Sequence, residues 1–328
     1  MPFDSIRGHA IPVRILGNMV TTRQIPHAFI FAGIEGIGKR TTAFSFAKAL
    51  NCCEMPGDFC DRCPSCRKIE KMVHPDLVCV APEKNVIRIE QVRALQQEIA
   101  FAPLEGKKRV VIIDQADRLN RQAANCLLKT LEEPPEDTVL ILLAQSTAAL
   151  LPTVVSRCQK ISFAPLGSQD IVHILVHNDI AKDEAERIAA NARGSIQKAR
   201  FLHESGFISM RQETAAALSR ISSGDCEALF TLTGLGRSDT PERAFLLEFL
   251  ITWYRDMLLV KEGIAEEMLC NRDLLHDLRE GANHATSEKI LQSIKELQWI
   301  QSRNMSVNLN VEMGLQSLLA AHADTENL

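Results

Sequence analysis

The segment Gly33-Ile34-Glu35-Gly36-Ile37-Gly38-Lys39 carries the residue types needed to hold phosphate. Glycines let backbone N–H groups turn inward around an anion, and a helix opening at the lysine adds the favourable end of its dipole. Lys39 is placed to reach terminal phosphates. A phosphate loop usually follows its lysine with Ser or Thr, whose hydroxyl holds Mg2+. Here Arg40 takes that place. Thr41 comes one residue later, about 100° further round a helix, so it is no simple substitute. The plainer reading is a glycine-rich turn that binds nothing. The apolar run before the loop and the helical stretch Thr41–Leu50 after it favour descent from a phosphate loop. Present-day binding of ATP and Mg2+ is left open by the motif.

Two further groups of residues bear on chemistry. Asp114 ends the apolar run Val110-Val111-Ile112-Ile113. In phosphate-loop ATPases such an aspartate assists Mg2+, and a glutamate after it polarises the attacking water. Here that neighbour is Gln115, which cannot take up a proton as a carboxylate can. Standing alone, Asp114 would be an ordinary solvated turn residue; its place downstream of a phosphate loop gives it weight. Cys52, Cys60, Cys63 and Cys66 are spaced C-x7-C-x2-C-x2-C, with Cys53 as a neighbouring spare. Four thiolates suit a closed tetrahedral Zn2+ site of structural kind. The plain alternative is a loop of unpaired thiols. Cys79, Cys126, Cys158, Cys226 and Cys270 are expected to act as small packing residues.

The surrounding pattern alternates strands with helices. Ala28–Ala32, Leu77–Ala81, Arg109–Asp114, Val139–Ala144 and Gln159–Phe163 read as strands, several apolar at consecutive positions, as buried parallel strands are. Asn120–Glu133 reads as a helix with Ala123, Ala124, Leu127, Leu128 and Leu131 on one face, stopped by Pro134-Pro135. Repeated alternation predicts an α/β fold with a parallel sheet. Beyond Pro165 the expectation is helical: short helices at 171–176, 185–192 and 196–201, long ones at 242–261 and 287–301, and a last one at 311–322. Breaks are expected at Gly234-Leu235-Gly236 and Gly281-Ala282-Asn283. The expected domains are 1–165, with the cysteine module 52–66 inserted as a surface knob, a small helical lid at 166–206, and a helical domain at 207–328 that drives assembly through surplus apolar faces such as Phe245, Phe249, Trp253 and Leu259. No repeat or low-complexity tract interrupts this.

Composition narrows the class. The 328 residues are 46% hydrophobic and 24% charged, with a net charge of −4, so no strongly basic domain announces nucleic-acid binding. No secretory signal is visible at the start. No apolar run reaches the ~18–20 residues that span a bilayer, so no membrane association and a cytoplasmic location are expected. Ten cysteines in a reducing compartment point to metal rather than disulfides.

Together these features resemble the bacterial clamp-loader family of AAA+ proteins, with its delta-prime-type subunits and gamma/tau-type motor subunits of DNA polymerase III. The resemblance covers residues 3–200. It rests on Pro26-His27-Ala28-Phe29, the phosphate loop, the cysteine module ending near His74-Pro75-Asp76, the run from Ala124 to Pro135 containing Leu127-Leu128-Lys129-Thr130-Leu131-Glu132-Glu133, and Ser156-Arg157-Cys158. Trp253-Tyr254-Arg255-Asp256 and Asn304–Glu312 look like the family's collar, less specifically. The resemblance implies a ring held by a helical collar, in which Arg157 acts in trans on ATP bound by a neighbouring subunit. It implies gamma/tau-type and delta-type subunits, the sliding clamp and primer–template DNA as partners. Arg40, Gln115 and Gly194-Ser195-Ile196-Gln197 depart from the motor pattern of Thr, Glu and Gly-Ser-x-Arg. This combination is similar to the delta-prime type: a degenerate nucleotide pocket of Gly33, Gly36, Gly38, Lys39, Thr41 and Asp114, with the finger retained. The alternatives are an active motor ATPase and, more weakly, a DNA-binding zinc module. The last is weakened because Arg62 is flanked by Glu54, Asp58 and Asp61.

Overall fold

The computed structural model describes residues 3, 6–234, 241–303 and 311–320. The chain forms two compact units, 1–178 with 192–199, and 179–191 with 200–328. The first unit runs α1 (Ala10–Thr22), β1 (Ala28–Ala32), α2 (Lys39–Asn51), α3 (Pro64–Glu70), β2 (Leu77–Val80), α4 (Ile89–Glu98), β3 (Arg109–Ile113), α5 (Arg121–Glu132), β4 (Thr138–Ala144), α6 (Pro152–Val155), β5 (Gln159–Ser162) and α7 (Ser168–His177). Every expected strand forms, with ends within one residue of expectation.

The five strands make one wholly parallel sheet in the order β2-β3-β4-β1-β5. Strands β1, β3 and β4 are buried along their whole length. This is why they read as unbroken apolar runs: helices cover both faces. Phe29, Phe31, Val110, Ile112 and Ile141 pack with Leu16 of α1 and Phe46 of α2. Their alternates Ile30, Val111, Ile113 and Leu142 pack with Val92 of α4 and Leu127 of α5. The edge strand β2 instead alternates, and Cys79 on it is exposed, as is Cys226, so neither serves the packing role expected of it. Helix α5 starts where the Asn120 side chain accepts the Ala123 N–H at 2.7 Å.

The second unit holds α8 (Lys182–Asn191), α10 (Phe207–Ser222), α11 (Cys226–Gly234), α12 (Pro241–Lys261), α13 (Leu275–His284), α14 (Ser287–Arg303) and α15 (Val311–Ala320). Helix α9 (Ile196–Glu204) opens in the first unit and continues into the second. Residues 166–206 are divided between these two compact units. Phe245, Phe249 and Trp253 do not form an outward face. They are buried in a row of ring contacts: Phe207 meets Phe245 edge-on at 5.4 Å between centroids, Phe245 stacks on Phe249 at 5.9 Å, and Phe249 lies tilted against Trp253 at 5.7 Å. The break expected at Gly281 also fails, because Gly281 sits inside α13, close against Met257. The chain turns two residues after Asn283, where the Thr286 hydroxyl accepts the Lys289 N–H at 3.3 Å and starts α14. Residues 235–236, 304–310 and 321–322 of the expected break, collar stretch and last helix lie outside the described residues.

One buried ion pair organises the sheet's lower edge. Asp76 is fully buried and accepts the N–H groups of Leu104, Glu105 and Gly106 at 2.7, 2.8 and 2.7 Å, and Arg109 Nη2 at 3.2 Å. Arg109 in turn donates to the carbonyls of Glu98, Phe101 and Ala102. The chain between α4 and β3 is thus pinned from both sides. Burial opposes the charge of Asp76, but these donors outweigh it and hold its carboxyl below the usual range. A depressed folded-state value means the stabilisation is complete above the ordinary carboxylate pKa and is lost as pH falls through the lowered one. Asp76→Ala is expected to cost about 3–5 kcal/mol, since it strands the buried Arg109. Chemical denaturation across the acid range measures this, and the variant should show a flatter decline below the ordinary carboxylate pKa than the native chain.

Candidate functional site

The phosphate loop leaves the carboxyl end of β1, between β4 and β5. Gly33 donates to the Ala144 carbonyl of β4 at 3.2 Å, and Phe163 donates to the Ala32 carbonyl at 2.7 Å. A Cβ at Gly33 would lie 2.5 Å from the Phe163 carbonyl oxygen, so only glycine fits. Gly36 and Gly38 have φ of 74° and 101°, the left-handed region that lets the loop fold over. Gly38 caps α2 without a side-chain bond. The first N–H groups of that helix therefore face outward without an intrahelical acceptor.

Lys39 folds back over the loop, donating to the carbonyls of Gly33 and, at 2.7 Å, Ile34. Burial pulls its ammonium below the usual lysine range, against Asp117, Glu35 and Asp114, which favour the charge. Arg40 reaches across to the end of β3, where Nη1 lies 3.2 Å from Asp114 Oδ2. Its other terminal nitrogen meets only the Met72 sulfur, at 3.7 Å, and its guanidinium lies 5.6 Å from the Phe44 ring centre. Asp114 Oδ1 accepts the N–H of Gln115, which adopts a left-handed conformation. Thr41 is exposed and joins none of these contacts. The neighbouring Thr42 is buried and bonds the Gly38 carbonyl at 3.0 Å. The structure thus brings Gly33, Gly36, Gly38, Lys39 and Asp114 together, but not Thr41.

Two carbonyls of the loop are held from outside it. Gly36 accepts the N–H groups of Ile196 and Gln197 at 2.9 and 3.2 Å, where α9 begins. Ser195 caps that helix, accepting the Lys198 N–H at 3.2 Å. The Ile37 carbonyl accepts Nε2 of His9, 2.5 Å away. His9 is buried against Phe163, and its Nδ1 has no partner among the described residues. Sequence reasoning missed His9, since a lone histidine before a helix carries no spacing signal.

Arg157 lies just past α6. Its Nη2 is 2.7 Å from Glu132 Oε1 at the end of α5, and Nη1 donates to the Thr153 carbonyl at 3.0 Å. Both members of the pair are partly exposed, and neither touches the phosphate loop. Next to it, burial pushes the Cys158 thiol up to about 12.

Cys52, Cys60, Cys63 and Cys66 place their sulfurs within 4.8 Å of one another, a group that could hold a metal ion. Cys52 belongs to it; Cys53 is exposed and points its thiol at the Asn51 carbonyl. Backbone N–H groups of Met55, Cys63 and Cys66 donate to the sulfurs of Cys52, Cys60 and Cys63 at 3.3, 3.3 and 3.4 Å. Such donors favour thiolate. Burial opposes charge on Cys63, but the N–H donors outweigh it and bring it to about 6, while burial pushes Cys60 and Cys66 up. Four thiols this close cannot ionise together without a cation, so the donor set fits a metal. The module is not the surface knob expected. Cys52, Phe59, Cys63, Cys66 and Ile69 are part of the core beneath α1 and α2. The mostly buried Lys48 of α2 pairs with Asp61, at 2.6 Å, and with Glu70, binding the module to the sheet's cover.

A parallel sheet with a glycine-rich loop and lysine after its first strand and an acid after its third is the α/β fold of P-loop proteins. The family described as DNA polymerase III, delta subunit matches residues 8–167, and its C-terminal counterpart matches 205–322. The DNA polymerase III subunit delta′ of Bacillus subtilis is 30% identical over 311 residues, 94% of each chain. The tau subunit of the same organism is also 30% identical, over 90% of this chain but 58% of its own length. A gamma subunit-related protein of Thermotoga maritima, 18% identical, superposes with a TM-score of 0.46 over 94% of this chain and 97% of its own. The chain belongs to the DNA polymerase III delta′ family, and its reading as a clamp-loader subunit stands. No described helix is long and apolar enough to cross a membrane.

The cysteine geometry separates two neighbours in sequence. Cys52→Ser is expected to lower bound metal per chain and to destabilise the α/β unit, because the cluster shares its core. Cys53→Ser should leave both unchanged. Elemental analysis and thermal unfolding of the two purified variants check this; metal loss in Cys53→Ser but not in Cys52→Ser would make Cys53 the ligand.

Proposed function

We propose that this chain is a non-hydrolysing clamp-loader subunit of delta-prime type that completes a neighbouring subunit's ATP site with Arg157. It would do so within a ring of gamma/tau-type and delta-type subunits that loads the sliding clamp onto primer–template DNA. The observation that carries the reading is the Arg40–Asp114 pair. A guanidinium stands where a metal-binding hydroxyl belongs, and it engages the carboxylate that would assist the metal. Gln115 removes the expected water-polarising acid. Arg157 supports the other half. It is partly exposed, and its ion pair with Glu132 is a surface pair worth about 0–1 kcal/mol, so beside its local bond to the Thr153 carbonyl nothing strong holds it.

The cysteine cluster is read as a structural Zn2+ site, which supplies a crosslink rather than chemistry, since all four positions are cysteine. The three-part organisation, with 166–206 as lid and 207–328 as collar, belongs to the same proposal, as does a cytoplasmic location. An active motor ATPase would need Mg2+ beside Arg40, whose charge opposes it.

The isolated chain is therefore expected to show negligible ATP turnover. Loss of the metal-binding hydroxyl and of the water-polarising acid each removes on the order of 10²-fold. Steady phosphate release that disappears in Lys39→Ala would restore the motor reading. In a reconstituted complex, Arg157→Ala should leave assembly and zinc content intact but slow hydrolysis at one neighbouring site by on the order of 10³-fold. Arg157→Lys should rescue little, because an ammonium cannot reproduce the planar fork. Unchanged ATPase and clamp loading by the Arg157→Ala complex would make Arg157 an ordinary surface residue.

A further inference from the structure

The loop's two halves disagree about what they can bind. The phosphate half is intact: left-handed glycines at 36 and 38, Lys39, and a 13-residue helix capped only by backbone. Across a planar trans peptide the C=O and N–H point in opposite directions. Holding the Gly36 carbonyl on α9 and the Ile37 carbonyl on His9 therefore turns the N–H groups of Ile37 and Gly38 the other way. The metal half is not intact. Thr41 is exposed and makes no contact with Asp114, and Arg40 Nη1 lies 3.2 Å from Asp114 Oδ2.

We infer that this loop takes a nucleoside polyphosphate as the free anion rather than as its Mg2+ complex, with the Arg40 guanidinium standing in for the metal. The inference rests on reading Gly33–Lys39 as a phosphate loop and deepens that reading. Arg40 is 54% exposed on its side chain, so its pair with Asp114 is screened by water and holds it weakly. A guanidinium has five donors. One can stay on Asp114 while another, now facing only the Met72 sulfur, turns to a phosphate oxygen. Lys39 leaves the carbonyls of Gly33 and Ile34 for the same anion. The groups facing this corner are Glu35, Asp114 and Asp117 as anions and Lys39 and Arg40 as cations. Adding a divalent cation would set it directly against Arg40. The site therefore gains nothing from the metal that solution ATP carries, and Mg2+ competes for the ligand instead.

The test uses the full chain and fluorescent ATP and ADP in buffer freed of divalent ions by chelating resin, then with excess Mg2+. No soluble chelator is added, so the cysteine site keeps its metal, which is checked afterwards. The native chain should bind in Mg2+-free buffer at least as tightly as with Mg2+. Arg40→Thr, which restores a hydroxyl, should bind about tenfold or more weakly without Mg2+, the loss of one charge-assisted contact, and regain affinity when Mg2+ is added. Lys39→Ala should abolish binding in both buffers. Circular dichroism confirms that each variant is folded. Native binding that needs Mg2+ overturns the inference. So does the absence of ATP and ADP binding in both buffers, or an Arg40→Thr chain as metal-independent as the native one. None of these outcomes touches the effect of Arg157→Ala in the reconstituted complex, which tests the trans-acting role separately.

Discussion

A parallel sheet buried on both faces sends the carboxyl end of every strand to one edge. In this chain that edge collects the glycine loop after β1, Asp114 after β3, Gln145 after β4 and Phe163 after β5. The collection is mechanical as well as topological. Gly33 is tied to Ala144, Phe163 to Ala32, and the Gln145 N–H to Asp117, so the loop's two flanks cannot move apart without breaking ladder bonds. Because β1 lies between β4 and β5, its loop is supported from both sides. An edge strand could not offer that. The residues with chemistry are thus positioned by strands that themselves carry no functional side chains.

Two ion pairs of the same chemical kind show how burial decides role. Asp76 and Arg109 are almost wholly withdrawn from water and satisfied by six further backbone bonds. Removing either partner leaves a buried charge, so the pair acts as a fixed part of the fold. Arg40 and Asp114 sit at a solvent-facing corner, one contact deep. That pair contributes little to stability and can be rearranged at little cost. A charge needed to respond to a ligand belongs in the second setting, and a charge needed to pin a loop belongs in the first.

Periodicity carried much of the fold, and its limits are physical. Strands β1, β3 and β4 were legible because full burial forces unbroken apolar runs, and α5 because an apolar face and a double proline coincide. The phosphate loop and the four-cysteine spacing were legible for the same reason: each needs particular residues at fixed intervals. What escaped was anything set by tertiary partners. Gly281 looked like a break, but Met257 fills the space beside it and the helix runs on. Phe245, Phe249 and Trp253 looked like surplus apolar surface, whereas they are buried and Phe207 from another helix packs edge-on against Phe245. The cysteine module looked peripheral because it is inserted between α2 and β2, yet Phe59 and Ile69 carry it into the core. His9 gave no signal at all, since its role depends on a carbonyl 28 residues away.

The proposed division of labour follows from where the two arginines stand. Phosphoryl transfer asks the protein mainly for charge held in position, and position does not require that the charge and the nucleotide share a chain. Arg40 follows the loop lysine and pairs with its own chain's Asp114, where on the proposed reading its charge would oppose a metal. Arg157 leaves a short helix and is held at the surface by Glu132, where nothing of its own site can use it. On the proposed reading, a chain built this way would lose turnover through the first arginine without losing the second. The same sheet edge can therefore keep a phosphate cradle as a fixed feature while its catalytic contribution is delivered elsewhere. On this reading the inactive pocket and the outward arginine are one design: a subunit that does not fire itself can still set the rate of the neighbour that does.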